Sequence, residues 1–196
     1  MKQNTERTIQ TKSYGTIRLK NEVIVTDPCY DTDEWCNVTV RNVLPGNYNI
    51  FVRNAAKKDY YDGPSRVILV HEDYMDSFID GNTDLIFDND PASLKETELA
   101  QKYYETPIGV DSGLAGFFNY DYYRKAHSGT KEKQDKWFER ICEIKEKPCK
   151  KIGQNGFYTT NWLGDGGYNL YTFLDSAGTK DEITVGFVLD YRLEEF

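Results

Sequence analysis

Alternation of apolar and polar positions marks most of this chain as β-structure. Residues 17–19 and 23–25 alternate well enough to predict a hairpin or two short strands. A second hairpin is predicted where residues 38–44 and 48–52 flank Pro45-Gly46, because Pro-Gly suits the centre of a tight turn. Further strands are predicted at residues 65–70, 108–110, 168–174 and 182–191, and the last two of these should form another hairpin.

Two stretches carry helical signals instead. Residues 93–104 begin with Ser93 and have Glu96 three positions later, a pattern typical of a capping box. A longer helix is predicted near 130–147, where apolar residues recur at helical spacing on one face: Trp137, Ile141 and Ile144. Pro148 ends that helix.

Together these elements predict one α+β domain spanning 1–196. It should be β-rich, with antiparallel sheets arranged as a sandwich or a partly open barrel. Residues 1–13 are polar and are expected to form a flexible arm. Residues 126–155 are expected to be a helical insertion between the β-rich parts.

Composition narrows the classes of protein to consider. The chain has 196 residues, 28 of them aromatic, and a net charge of −8. The aromatic residues are numerous enough to build a packed core, while the negative charge argues against direct binding to nucleic acid or to an anionic membrane. No apolar run approaches the roughly 20 residues of a membrane span, and no secretory h-region is visible, which predicts a cytoplasmic protein. The four cysteines form two Cys-x6-Cys pairs and are expected to be reduced thiols.

One local pattern occurs three times: an apolar stretch runs into an aspartate within a tight turn. The aspartates are Asp27, Asp111 and Asp165. Aspartate in such a turn commonly accepts hydrogen bonds from backbone N–H groups, which would be a structural role. If the three turns converge at one end of the sheets, the carboxylates could instead form a site for Ca²⁺, Mg²⁺ or a polar ligand.

Two of these turns also carry a family resemblance. The segments GVDSG at 109–113 and GFFN at 116–119 resemble the "G-V-D-(A/S)-G … F-F-D" block of the bacterial domain-of-unknown-function 4241 family. The segment GDGGY at 164–168, with the strand pair that follows it, is similar to the family's carboxy-terminal block. The resemblance covers residues 107–191, and the chain differs from the pattern at Asn119 and Asn169. It implies a shared fold, and no activity is established for the family.

A second acidic segment resembles a calcium-binding loop. Within residues 80–88, oxygen-bearing side chains stand at loop positions 1, 3, 5 and 9: Asp80, Asn82, Asp84 and Asp88. Leu85 stands at position 6, where an EF-hand needs Gly, and Pro91 stands at position 12, where it needs Glu. A solvated acidic loop and a Ca²⁺ site are the two interpretations.

Catalytic signatures are scarce. The chain has two histidines, His71 and His127, and lacks the common phosphate-binding, metalloprotease and nucleophile-elbow motifs. This absence favours binding over catalysis.

The leading hypothesis is therefore a non-catalytic binding protein that presents an acidic, tyrosine-rich face to a protein partner. Its predicted contact residues are Asp80, Asp84, Asp88, Tyr120, Tyr122 and Tyr123. An inhibitor of a nucleic-acid-binding protein, from a phage or mobile element, or an immunity-type protein would fit this class. The alternatives are a metal-dependent hydrolase or small-ligand binder that uses Asp27, Asp111 and Asp165, and a structural subunit of a larger assembly.

Overall fold

A computed structural model describes residues 11–54, 63–76, 102–142, 148–161, 163–175 and 182–191. In these ranges the chain forms eleven strands and two α-helices. The strands are β1 (Thr11–Leu19), β2 (Val23–Thr26), β3 (Asn37–Val40), β4 (Gly46–Asn54), β5 (Pro64–His71), β6 (Lys102–Val110), β7 (Leu114–Asn119), β8 (Cys149–Lys151), β9 (Gly156–Thr160), β10 (Gly166–Asp175) and β11 (Ile183–Asp190). The helices are α1 (Tyr120–His127) and α2 (Lys131–Cys142).

The strands form two antiparallel sheets that pack face to face. The six-stranded sheet has the order β1-β4-β5-β11-β10-β6, and the five-stranded sheet has the order β3-β2-β7-β9-β8. Neither sheet closes on itself, so β3 and β6 are edge strands, and they lie on the same side of the molecule with some Cα atoms within 8 Å of each other. The predicted β-rich α+β fold is confirmed, and its architecture is a sandwich.

The main core fills the space between the two sheets. Tyr48, Ile50 and Val52 of β4 alternate inward, as expected for a strand with period-two patterning. They meet Phe117 and Phe157 from the opposite sheet. Burial of each such side chain contributes about 1.5–3 kcal/mol, so this layer is the main source of stability.

A second apolar layer joins the helices to the outer face of the five-stranded sheet. Phe118 of β7 and Tyr158 of β9 pack against Tyr123 of α1 and against Trp137 and Ile141 of α2. The ring centroids of Phe118 and Trp137 are 5.7 Å apart in an edge-to-face arrangement, which is a favourable aromatic geometry. This layer fixes both helices on the sheet.

Of the two alternatives predicted for residues 17–25, two short strands are confirmed and a hairpin is not, and the hairpin predicted around Pro45-Gly46 is wrong although its strands exist. The strand after residue 17 and the strand at residues 23–25 belong to different sheets, because β1 pairs with β4 whereas β2 pairs with β3 and β7. Likewise β3 and β4 lie in different sheets, and Pro45-Gly46 does not reverse the chain between them. Val43 instead forms a bridge to Thr184 of β11, which carries the chain across from one sheet to the other.

Two other strand predictions are confirmed, and one predicted helix overlaps a strand. The hairpin at 168–174 and 182–191 is confirmed as β10 and β11, and the strand at 65–70 is confirmed as β5. Most of the helix predicted at 93–104 lies outside the described residues, but its last three residues, 102–104, belong to β6.

The predicted helical insertion contains a strand, and the predicted arm overlaps one. The described part of the long helix is Lys131–Cys142, preceded by the unpredicted α1, and residues 149–151 form β8. Residues 11–13, assigned to the arm, belong to β1. Among the described residues, no helix is long and apolar enough to cross a membrane.

His127 makes the helix layer sensitive to pH. Its ring stacks on Tyr123 with centroids 4.4 Å apart and meets Trp137 edge-on at 5.5 Å. Burial lowers the pKa of His127 below its ordinary value of 6.5, and Asp31 opposes that shift. Because the unfolded chain then binds the proton more readily, this group costs stability as the pH falls below 6.5.

We expect His127→Phe, which keeps a stacking ring, to lose less stability than the wild type between about pH 7.5 and about pH 5.5. Urea unfolding at the two pH values measures the difference. His127 Nε2 has no hydrogen-bond partner among the described residues, so the substitution removes no bond from that atom. Equal losses in the two proteins would contradict the assignment.

Candidate functional site

Two of the three aspartate turns meet at one end of the sandwich, and the third turn adjoins them. Asp27 directly follows β2, Asp111 directly follows β6, and Asp165 directly precedes β10. Because β6 and β10 are paired with Val110 opposite Gly166, the second and third turns emerge side by side. The backbone N–H of Asn161 donates to the carbonyl of Gly113 at 2.6 Å and joins these two turns.

Asp27 holds the first turn against the second. Its side chain is fully buried. One carboxylate oxygen accepts from the N–H of Cys29 at 3.0 Å and from the Ser112 hydroxyl at 2.6 Å. The other accepts from the N–H groups of Asp111 at 2.9 Å and Ser112 at 2.6 Å. Four donors thus occupy the acceptor positions of this carboxylate, which gives Asp27 a backbone-binding role.

The carboxylates of Asp111 and Asp165 are placed differently, since both residues are exposed. The Tyr30 hydroxyl donates to the Asp111 carboxylate, and this hydrogen bond raises the pKa of Tyr30. Within the described ranges no group of three or more His, Cys, Asp or Glu side chains is arranged to hold a metal ion. The carboxylates of Asp27, Asp111 and Asp165 therefore do not form a common metal-binding cluster. The calcium-like residues Asp80, Asn82, Asp84 and Asp88 lie outside the described residues.

Two buried cysteines, Cys36 near this site and Cys149 in β8, are not poised as nucleophiles. Cys36 is buried behind the turn, and burial raises the pKa of its thiol to about 11, with Asp27 and Asp111 adding to the shift. Burial likewise raises the pKa of Cys149 to about 11. Both thiols are protonated at neutral pH, whereas a reactive cysteine needs a thiolate.

Trp35 is the residue at this end that sequence patterns do not reveal. Two-thirds (67%) of its surface is exposed. Its ring lies directly on the backbone of Gly109 in β6, because a Cβ added at Gly109 would stand only 2.0 Å from the indole Cζ3 atom. A glycine therefore provides the platform that holds an exposed indole in place. The apposition of Trp35 and Gly109 depends on tertiary structure, which no local pattern encodes.

Exposed acids share this end of the molecule with Trp35. We call them, together with the indole, the acidic turn surface: Asp31, Asp33, Glu34, Trp35, Asp111 and Asp165. The segments 27–36, 111–113 and 163–168 that form it contain no Lys or Arg. The surface therefore combines negative charge with the large exposed ring of Trp35.

The predicted tyrosine contacts lie elsewhere and are less accessible than expected. Tyr123 is fully buried in the helix layer, and its hydroxyl donates to the backbone carbonyls of Asp27 and Tyr30. It supports the turns from within and offers no contact surface, which corrects its assignment. Tyr120 and Tyr122 are half-buried and pack against the same layer. Asp80, Asp84 and Asp88, which were predicted to act with them, lie outside the part of the chain that the structure describes.

Asn119, where the family pattern has an acid, has a structural role. Its side chain is buried. The amide oxygen accepts from the N–H of Lys20 at 2.8 Å, while the amide nitrogen donates to the carbonyl of Arg18 at 2.9 Å. A carboxylate could not supply the second bond, because an ionised acid has no donor.

Comparisons with protein-family models, with curated proteins and with solved structures find no match to this chain. The resemblance to the domain-of-unknown-function 4241 family thus stays a prediction.

Proposed function

We propose that this protein is a non-catalytic binding protein that engages a basic protein partner through the acidic turn surface. The observation that carries the proposal is the exposed indole of Trp35, held on Gly109 among exposed acids. A buried aspartate, Asp27, fixes the turns beneath it, so the surface is preorganised. Preorganisation reduces the entropy that a protein loses on binding.

Tryptophan and acidic groups contribute to binding in different ways. Tryptophan is strongly enriched among the residues that dominate binding energy at protein interfaces. Acidic groups around it would accelerate association with a positively charged partner and favour it over neutral ones. Nucleic-acid-binding proteins carry such basic surfaces, so an inhibitor of one, from a phage or mobile element, is the class we favour. An immunity-type protein that covers a basic toxin surface would use the same chemistry.

Trp35→Ala tests this proposal against Phe138→Ala. Phe138 lies on α2 and is also about half exposed (52%), so its truncation is a matched control for loss of a surface aromatic. We expect the partner captured by the wild-type protein to bind Trp35→Ala at least about 30-fold more weakly, as for an interface hot spot, and Phe138→Ala with unchanged affinity. Binding of the purified partner is measured by titration calorimetry.

Charge reversal supplies the second arm. Asp33→Lys with Glu34→Lys should slow association and reduce its dependence on salt concentration. If the captured partner binds all these variants as the wild type does, the acidic turn surface is not the interface. The same reversal at Asp80, Asp84 and Asp88 tests whether the acidic segment contributes.

A further inference from the structure

A pocket opens on the side of the sandwich where both sheets end. Its volume is about 470 Å³, within the roughly 300–1,000 Å³ usual for small-ligand sites. One wall is β3 and the residues after it, and the other is the first half of β6. Thr172 and Leu174 of β10 and Thr184 of β11 form the floor.

The pocket lies beyond the end of the inter-sheet core, at positions of β6 and β10 that face inward. Along β6, Val110 and Ile108 face the inter-sheet core, and the next two residues with the same orientation are Thr106 and Tyr104. Along β10, Leu170 is likewise followed by Thr172. Hydroxyl groups therefore appear at inward positions at the mouth of the sandwich.

The aromatic ring of Tyr104 lies at the edge of this pocket. Tyr104 is about half exposed (49%), and its hydroxyl donates to the Glu182 carboxylate at 2.9 Å, which orients the ring. Thr172 donates its hydroxyl to the Tyr104 carbonyl at 3.5 Å. Asn42, at positive φ (56°), places a polar side chain on the opposite rim. Among the described lining residues one is positive, Arg41, and one is negative, Glu182, so their charges balance.

The edges themselves argue against an added peptide strand. The Asp27 N–H donates to the Cys36 carbonyl, which sets the β2–β3 pairing so that the backbone N–H and C=O of Thr39 point away from β2. These two groups could therefore bind an added strand. However, β3 is only four residues long. On β6, Pro107 lacks an N–H and Trp35 covers Gly109. Short edges and edge prolines are devices that discourage strand addition.

We propose that this pocket binds a neutral saccharide, with the Tyr104 ring as the surface on which one sugar ring stacks. Sugar rings present an apolar C–H face together with several hydroxyls. The exposed tyrosine ring suits that face, while the threonine hydroxyls and the Asn42 amide can exchange hydrogen bonds with the sugar. Glu182 is a positioning residue that holds the Tyr104 ring. This site is separate from the acidic turn surface and does not depend on the function proposed for that surface.

Nuclear magnetic resonance titration tests the site with neutral probes: glucose, galactose, mannose, N-acetylglucosamine, maltose and cellobiose. We expect at least one of these to shift the backbone amide signals of Thr106, Thr172 and Thr184, with a dissociation constant on the order of 1 mM or tighter. Tyr104→Ala should weaken that binding at least about tenfold, as expected for removal of a stacking ring. Tyr104→Phe keeps the ring but loses the bond to Glu182, so it should retain part of the affinity.

Phe138→Ala, which removes an exposed aromatic from α2, should leave saccharide binding unchanged. Trp35→Ala should do the same, so that failure here and failure of the proposed protein-binding surface are distinguishable. The proposal is overturned if none of the six sugars shifts these signals at a sugar concentration of about 20 mM, which is about 20 times the expected dissociation constant. It is also overturned if Tyr104→Ala, shown by its spectrum to be folded, binds as tightly as the wild type. A tetrapeptide that shifts the signals where the sugars do not would assign the pocket to a polypeptide segment instead.

Discussion

Asp190→Ala is expected to lower the free energy of unfolding by about 3–5 kcal/mol, as for removal of one partner from a buried ion pair. Asp190 lies directly opposite Arg66 on the paired strands β11 and β5. Arg66 Nε donates to Asp190 Oδ2 at 3.0 Å, and the two side chains are only 2% and 5% exposed. Without Asp190, the guanidinium stays inside the protein without that carboxylate. Such a loss is a large share of the roughly 5–15 kcal/mol that stabilises a typical domain.

The chain offers a control with the same geometry at the surface. Arg41 Nε lies 3.1 Å from Glu22 Oε1, but the two side chains are 78% and 34% exposed. Glu22→Ala should therefore cost less than about 1 kcal/mol. Urea unfolding of the two variants compares nearly equal distances in different surroundings. Equal losses would contradict the role assigned to burial.

A double variant separates the contribution of the ion pair from the cost of leaving one charge buried alone. Replacement of both partners, as Arg66→Met with Asp190→Leu, should cost less than Asp190→Ala alone, because no charge then remains buried at this position. If the double variant is the least stable protein, the pair contributes more than its desolvation costs.

Local sequence patterns predicted most of the strands, but they predicted a correct pairing where the two strands are close in the chain. β10 and β11 follow one another and form a hairpin, so alternation and a turn were sufficient to find them. β1, β2, β3 and β4 are also consecutive, yet the chain changes sheet after β1 and again after β3. That exchange is set by packing between distant residues, such as the contact of Val43 with Thr184, and no local signal reports it.

At the candidate site, too, contacts within one turn could be predicted from the sequence, and contacts between distant residues could not. The tendency of Asp27 to bind backbone N–H groups could be predicted, because Asp in a tight turn commonly does so. Its bond to Cys29 follows that local rule, whereas its bonds to Asp111 and Ser112 span more than 80 residues. Tyr123 was misassigned because α1 was not predicted, and without that helix its inward orientation could not be inferred.

Asp27→Asn should lower the free energy of unfolding by about 3 kcal/mol, given about 1.5–3 kcal/mol for each hydrogen bond to a charged group. The substitution keeps the size of the side chain but turns one acceptor oxygen into an NH₂ donor. That NH₂ group must face either the N–H of Cys29 and the Ser112 hydroxyl, or the N–H groups of Asp111 and Ser112. Three of these four groups are N–H donors, so at least one bond is lost and replaced by repulsion.

Asp165→Asn is the matched control, since Asp165 lies in a neighbouring turn but is exposed. It should change stability by less than about 0.5 kcal/mol. Chemical denaturation gives both values, and amide hydrogen exchange at Asp111 and Ser112 should accelerate in Asp27→Asn alone, because the turn opens more often there. Equal stability of the two variants would show that the Asp27 bonds do not hold the turns together.

Calcium distinguishes this role from metal binding at the same residue. If Asp27 were a ligand, Ca²⁺ would stabilise the wild type by mass action, and Asp27→Asn would remove that gain. We expect instead that the stability difference between the two proteins is the same with and without millimolar Ca²⁺, even if the acidic segment at 80–88 binds the ion, since both proteins keep that segment. A difference that grows with Ca²⁺ would move Asp27 from a residue that shapes the acidic turn surface to one that binds a ligand there.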